Sequence, residues 1–205
     1  MRLTSLDLSN YVAQFHLLFP ELRGRFPWEI TSNASSILSE ELKKLSNDFR
    51  VHNSVAIHKD ALIEEHAVIK GPAIISAGCF IAAHSYLRGG VWLGEHVVIG
   101  PGSEVKSSFL LSHTSLAHFN FVGDSIVGSH VNMEAGSVIA NHYNERSNKI
   151  IYVRTGIESL STGADKFGAL IGDHTKIGAN AVLSPGTILA VKSVVDRLTL
   201  LQQNP

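Results

Sequence analysis

A chain of 205 residues with 44% hydrophobic content is long enough to bury a core. Its 17 Lys and Arg nearly cancel 18 Asp and Glu, leaving a net charge of −1; this excludes broad attraction to nucleic acid or to an anionic membrane, so an anionic ligand must be held by a few placed cations. No run approaches the roughly 18 apolar residues of a membrane span, and no signal-peptide pattern opens the chain, so a cytoplasmic location is expected.

Residues 1–50 read as a helical extension. Leu6, Tyr11, Val12, Phe15 and Leu18 lie near helical spacing before Pro20, which predicts a helix over about 6–19. After Pro27, the run Ile37, Leu38, Leu42 and Leu45, with Glu40, Glu41, Lys43 and Lys44 between, predicts a second amphipathic helix. Its apolar face is expected to pack against the rest of the chain or a neighbouring subunit.

From residue 51 the pattern changes. Stepping by six from Val51 meets Ile57, Ile63, Ile69, Ile75, Ile81, Leu87, Leu93, Ile99, Val105, Leu111 and Ala117, aliphatic at every step. Four residues after each stands a second inward candidate that is mostly small, such as Ala61, Ala67, Ala73, Cys79 and Ser85. A six-residue period fits neither a 3.6-residue helix nor a meander of long strands. It fits a prism in which each face is one short strand and stacked coils pair in parallel about 4.8 Å apart. Three residues after each anchor come turn-tolerant types, among them His66, Gly78, His84, Gly90, His96 and Gly102, so these are corners, as are His130 and His174. Cys79, the one cysteine, should be a small buried side chain.

The next anchors after Ala117 are Val127, Met133 and Ile139. Ten residues thus separate 117 from 127, which predicts a four-residue outward bulge holding His118. A polar, Gly-containing stretch over about 141–169 is expected to be an excursion loop, and the run Ile171, Ile177, Leu183, Leu189 and Val195 closes a prism spanning 51–199, with 200–205 as a tail. Arg88 and Lys106 each follow an anchor by one residue and lie 18 apart, so they should project from one face on adjacent coils, an arrangement suited to a phosphate.

The stretch from Leu87-Arg88 to Tyr143 resembles the acetyltransferase domain of the bifunctional N-acetylglucosamine-1-phosphate uridylyltransferase/glucosamine-1-phosphate acetyltransferases. The strings that carry the resemblance are Glu104-Val105-Lys106, His118-x-x-Phe121-x-Gly123-Asp124, Val131-Asn132-Met133-Glu134-Ala135-Gly136 and Ala140-Asn141. Gly71-Pro72-Ala73, His118-Phe119-Asn120 and Thr162 to Ala169 are similar to the C-terminal β-helix of sugar-1-phosphate nucleotidylyltransferases, which extends the likeness to about 57–196. The resemblance implies an all-β fold, a left-handed parallel β-helix of hexapeptide repeats, assembled as a homotrimer.

It also implies roles. His118 matches the general base that acts on the sugar amine, while Arg88, Lys106, Phe121 and Asn132 match substrate-binding positions. Ala135, Asn141, His142 and Ala179 match positions that contact acetyl-CoA, with Asn141 also serving as a catalytic donor. The implied activity is acetyl transfer from acetyl-CoA, as co-substrate, to the amine of a glucosamine-1-phosphate-like acceptor or a nucleotide sugar, within UDP-N-acetylglucosamine chemistry and without a metal. Three positions depart from the family: Phe121 replaces a tyrosine, His142 an aromatic residue, and Glu134 a glycine. The extension of 50 residues is too short for a nucleotidyltransferase domain and carries no Gly-rich nucleotide loop.

Two other readings stand beside this one. Phe121 and Glu134 suit a non-catalytic module that binds or assembles around sugar phosphates or nucleotide sugars. His113 and His118, five residues apart, suggest a β-helix metalloenzyme of carbonic anhydrase type, but the third histidine expected 36 residues earlier is Ala77.

Overall fold

The computed structural model describes residues 6–156 and 158–203, so the first five residues of the extension and the last two of the tail lie outside the described residues. The chain is a left-handed parallel β-helix of about eight turns. Each coil visits three faces in turn. The side face stacks 62–63, 80–81, 98–99, 115–116, 132–133, 176–177 and 194–195. The front face stacks 68–69, 86–88, 104–106, 121–123, 138–139, 182–183 and 200–201. The clad face stacks 55–57, 73–75, 91–93, 108–110, 126–127, 169–171 and 187–189.

The interior is a ladder of aliphatic rungs, with Ile75, Ile81, Leu87, Leu93, Ile99 and Val105 each 0% exposed. Up to Val105 the six-residue step holds. Beyond it the structure departs from the expected register, because the next inward residues are Leu110, Leu116, Val122, Val127, Met133 and Ile139. The front-to-clad corner is one residue shorter in two successive coils, 105–110 and 122–127. Each short corner turns on one residue in the left-handed region, Ser107 (φ 49°) and Asp124 (φ 45°). Hence there is no four-residue bulge after Ala117, and His118 sits on an ordinary corner of the prism. Leu111 faces outward into the second apolar cluster, and Thr114 and Asn120 take the small inward places.

The corner histidines are found as expected: His66, His84, His96, His130 and His174 all have positive φ, as does His113. The side chain that follows such a turn stands out from the ridge. His96, His113, His130 and His174 therefore stack ring on ring, with centroids 4.9, 4.8 and 4.9 Å apart.

A second core lies outside the prism. The outward row of the clad face, Ile74, Trp92, Phe109, Ile126, Leu170 and Ile188, is apolar and buried. Residues 6–45 cover it, with Phe19 edge-on to Trp92 (5.2 Å) and Phe109 (5.4 Å). Instead of one helix over 6–19, the chain forms a 3-10 turn at Leu8–Asn10, a single turn at Phe15–Leu18 and another 3-10 turn at Pro20–Leu22. Asp173 explains the break: its Oδ2 accepts from Ala13 N–H (3.0 Å) and its own N–H donates to Tyr11 O (2.8 Å), pulling the backbone onto the prism between turns. The second helix is also two, Pro27–Ser32 and Ala34–Glu41. The latter crosses Gly90 (φ 94°) so closely that a Cβ there would stand 2.6 Å from Ser35 N, which only glycine permits.

At the start, Phe49–His52 pairs antiparallel with Val55–His58, so Val51 is 56% exposed rather than an inward anchor. At the end, Leu200–Leu201 pairs with Val182–Leu183, so the coil runs into the expected tail. The excursion leaves the prism after Ile139 and returns at Ala169. It contains the hairpin Tyr152–Thr155 with Glu158–Ser161 and packs Tyr143, Ile151, Val153 and Phe167 over the clad face.

Candidate functional site

Most of the expected site residues fall on the two edges of the front face, which the extension leaves uncovered, with Phe121 between the edges and Asn132 on the side face. His118 is on the side-to-front ridge and exposed. The ladder continues through it: Gly136 N–H donates to His118 O (2.9 Å), Asn180 N–H to Ala135 O (3.0 Å) and Leu198 N–H to Ala179 O (3.0 Å). His118, Ala135, Ala179 and Arg197 are therefore successive rungs of one ridge. Beneath it Asn120 is 2% exposed and donates from Nδ2 to Glu134 O and Ser137 Oγ, both at 2.8 Å, which fixes the His118 corner to the next coil. Phe119, 71% exposed with φ 54°, sets its ring 6.3 Å from that of His118 and over Gly102, where a Cβ would meet it at 2.7 Å.

Glu134, which stands where the family has a glycine, brings a carboxylate to this ridge. Arg197 meets both its oxygens, with Nε 2.7 Å from Oε2 and Nη2 2.8 Å from Oε1, and Ala179 N–H adds a bond of 2.9 Å to Oε2. These bonds, the Arg197 pair first, hold the Glu134 carboxyl down to about 2. The ridge thus presents Ala135 and Ala179 beside a neutralised ion pair.

The far edge of the front face holds the cations. Arg88 and Lys106 are direct partners on adjacent strands. Each is met by a carboxylate: Arg88 Nε and Nη2 lie 2.7 Å from Glu104 Oε1, and Lys106 Nζ lies 2.7 Å from Asp124 Oδ2. Asp124 Oδ2 also accepts from Asn141 Nδ2, and Asn141 Oδ1 is 3.3 Å from His142 Nδ1. Phe121, half-buried, opens the strand Phe121–Gly123 that runs between the two edges.

Within one chain, then, the structure groups His118 with Ala135 and Ala179, and groups Arg88 and Lys106 with Asn141 and His142. It does not bring His118 and Asn141 together: they flank opposite ends of Phe121–Gly123, and at about 3.3 Å per residue the face between them is roughly 15 Å wide. Asn132 lies around the ridge on the side face, exposed between Ser115 and Lys176. His113 is on the third ridge, stacked between His96 and His130 and away from His118. Among the described residues no three His, Cys, Asp or Glu side chains converge on a metal position, and no helix is long and apolar enough to cross a membrane. Cys79 is 1% exposed, and burial pushes its thiol up to about 11.

Comparison with known proteins agrees with this architecture. A protein named Bifunctional protein GlmU from Methanococcus maripaludis is 33% identical over 183 residues, 87% of this chain and 44% of that protein. Another of that name from Methanococcus vannielii is 31% identical over 121 residues, 58% of this chain and 28% of the relative. A bifunctional sugar-1-phosphate nucleotidylyltransferase/acetyltransferase from Sulfurisphaera tokodaii is 34% identical over 103 residues, 50% of this chain and 25% of its own length. The chain spans less than half of each of these relatives. The family model described as the GMPPB C-terminal domain matches residues 69–199, which takes in most of the prism, both edges of its front face and the excursion, and the chain belongs to that family.

Proposed function

We propose that this chain transfers acetyl from acetyl-CoA to the amine of a sugar phosphate or nucleotide sugar, a glucosamine-1-phosphate-like acceptor. The observation that carries this is the uncovered front face, with an exposed imidazole on one edge and the paired cations Arg88 and Lys106 on the other. Where the His118 edge of one copy meets the cation edge of another, a sugar would turn its phosphate toward the neighbour's Arg88 and Lys106 and its amine toward His118. Relatives whose names join nucleotidyl and acetyl transfer support the acceptor class.

The chemistry follows from the imidazole. A protonated amine has no lone pair, so His118 accepts the proton as the nitrogen adds to the thioester carbon. The C–N bond forms, the C–S bond breaks and the thiolate leaves to be protonated as free CoA. Ala135, Ala179 and Arg197 would line the CoA side of the ridge. In the single chain Asn141, the expected oxyanion donor, stands at the other edge of the face from His118. A neighbouring copy supplies it if edges of different kind meet, and three copies close such a head-to-tail contact. The homotrimer is therefore part of the proposal, with the clad face excluded because the chain's own extension occupies it.

The test is thiol release from acetyl-CoA with a panel of amino-sugar phosphates. Wild-type protein should release CoA with at least one of them, and Arg88→Ala or Lys106→Ala should raise the acceptor KM by about tenfold or more, the loss of a charge-assisted bond. No release with any acceptor, together with Arg88-dependent sugar binding, would favour the binding-module reading, for which the departure Phe121 speaks.

A further inference from the structure

Asp124 was visible in the sequence only as the end of a motif string, yet it is the residue on which the cation edge converges. Its side chain is 6% exposed. Its backbone is fixed on both sides, because its N–H donates to Lys106 O (2.8 Å) and its carbonyl accepts from Gly168 N–H (2.9 Å), where the excursion rejoins the prism. The short corner places it at φ 45°, a conformation that Asp and Asn adopt more readily than other side chains. The carboxylate therefore has little freedom. One oxygen lies 2.9 Å and the other 2.7 Å from Lys106 Nζ, and the second also holds Asn141 Nδ2.

We infer that Asp124 is a positioning residue for the transfer reaction, tying the Lys106 ammonium on one coil to the Asn141 amide at the mouth of the excursion; this rests on the acetyltransferase reading above. Asn141 is 8% exposed and bonded through one of its two N–H groups, so the other is aimed by Asp124. Lys106, its side chain 18% exposed against 37% for Arg88, is similarly held. Asp124 touches no reacting atom. It cancels the charge of Lys106, which weakens attraction for a phosphate, and in return fixes where the ammonium and amide stand. The charge and the geometry thus act in opposite directions on affinity and on turnover, and that separates positioning from simple binding.

The experiment is steady-state kinetics of Asp124→Asn, with glucosamine 1-phosphate as acceptor, beside the side-chain amide NMR signal of Asn141. Asparagine keeps the size and the left-handed corner. Expected are a kcat about tenfold lower, an acceptor KM that does not rise, and an Asn141 amide signal shifted from its wild-type position. In an Asn141→Ala background, Asp124→Asn should cost little further in kcat, a non-additivity that a merely structural role would not produce. Should Asp124→Asn leave the Lys106 ammonium too poorly paired to fold, Asp124→Asn/Lys106→Met removes both charges and still reports on the Asn141 signal. Wild-type turnover with full kcat in Asp124→Asn overturns the inference while leaving acetyl transfer standing. Wild-type protein without turnover sinks the reaction instead, and an Asn141 signal unmoved by Asp124→Asn then overturns the pinning as well.

Discussion

Arg197 and Glu134, 63 residues apart in sequence, form a two-pronged ion pair with contacts of 2.7 and 2.8 Å that joins the last full coil to the ridge of His118. The Glu134 carboxyl titrates at about 2 in the fold against an ordinary 4.5. A depressed folded value means that the pair's contribution is complete above the ordinary value and is lost as pH falls through about 2. The Ala179 amide, which donates to Glu134 Oε2 at 2.9 Å, reports it directly. Its NMR shift should titrate with a midpoint near 2, and Arg197→Ala should move that midpoint up toward 4.5. A wild-type midpoint already at the ordinary value would show that the pair does not form in solution.

The stacked ridge makes a different demand. His113 has φ 63° and sits between His96 and His130. Asn tolerates this conformation, whereas a β-branched residue meets the full left-handed penalty of about 1–2 kcal/mol. His113→Asn should leave the melting temperature nearly unchanged, and His113→Val should lower it. Equal stabilities would remove the backbone explanation for the histidines.

Phe109 tests the cladding. It is fully buried between Phe15 and Phe19, with ring centroids at 5.9 and 5.4 Å. Phe109→Ala should cost about 3–5 kcal/mol in urea unfolding, and Phe109→Leu under about 1.5. A small loss in the alanine variant would mean that residues 6–45 do not rest on this face.

The assembly can be weighed. Light scattering at micromolar concentration should give three times the 22.2 kDa chain mass. A stable monomer would leave His118 without the Asn141 of a neighbour and count against the shared site.

Much of this architecture is legible in the residues, and its limits have physical causes. Ile57 to Val105 announce the prism because an aliphatic residue returns at every sixth place without a break. The spacing of 18 pairs Arg88 with Lys106 for the same reason. After Val105 the corner loses one residue, so Leu110 takes the inward place while Leu111, at the sixth step, faces the cladding. The six-step count therefore follows the wrong leucine, and His118 is displaced into a bulge that does not exist. Val12, Phe15, Phe19 and Leu22 lie three or four apart, a spacing that serves short turns laid along a flat face as well as it serves one helix. Asp124 beside Asn141, and Arg197 beside Glu134, depend on where the excursion leaves and returns. That closure is a tertiary event that no local pattern encodes.

The most direct measurement of the central claim is the rate of acetyl transfer by His118→Ala, observed as CoA release with saturating acetyl-CoA and glucosamine 1-phosphate. Removal of a general base should lower turnover by about 10²–10⁴-fold with the acceptor KM nearly unchanged and the fold intact. Full turnover in His118→Ala would contradict the assignment of the base.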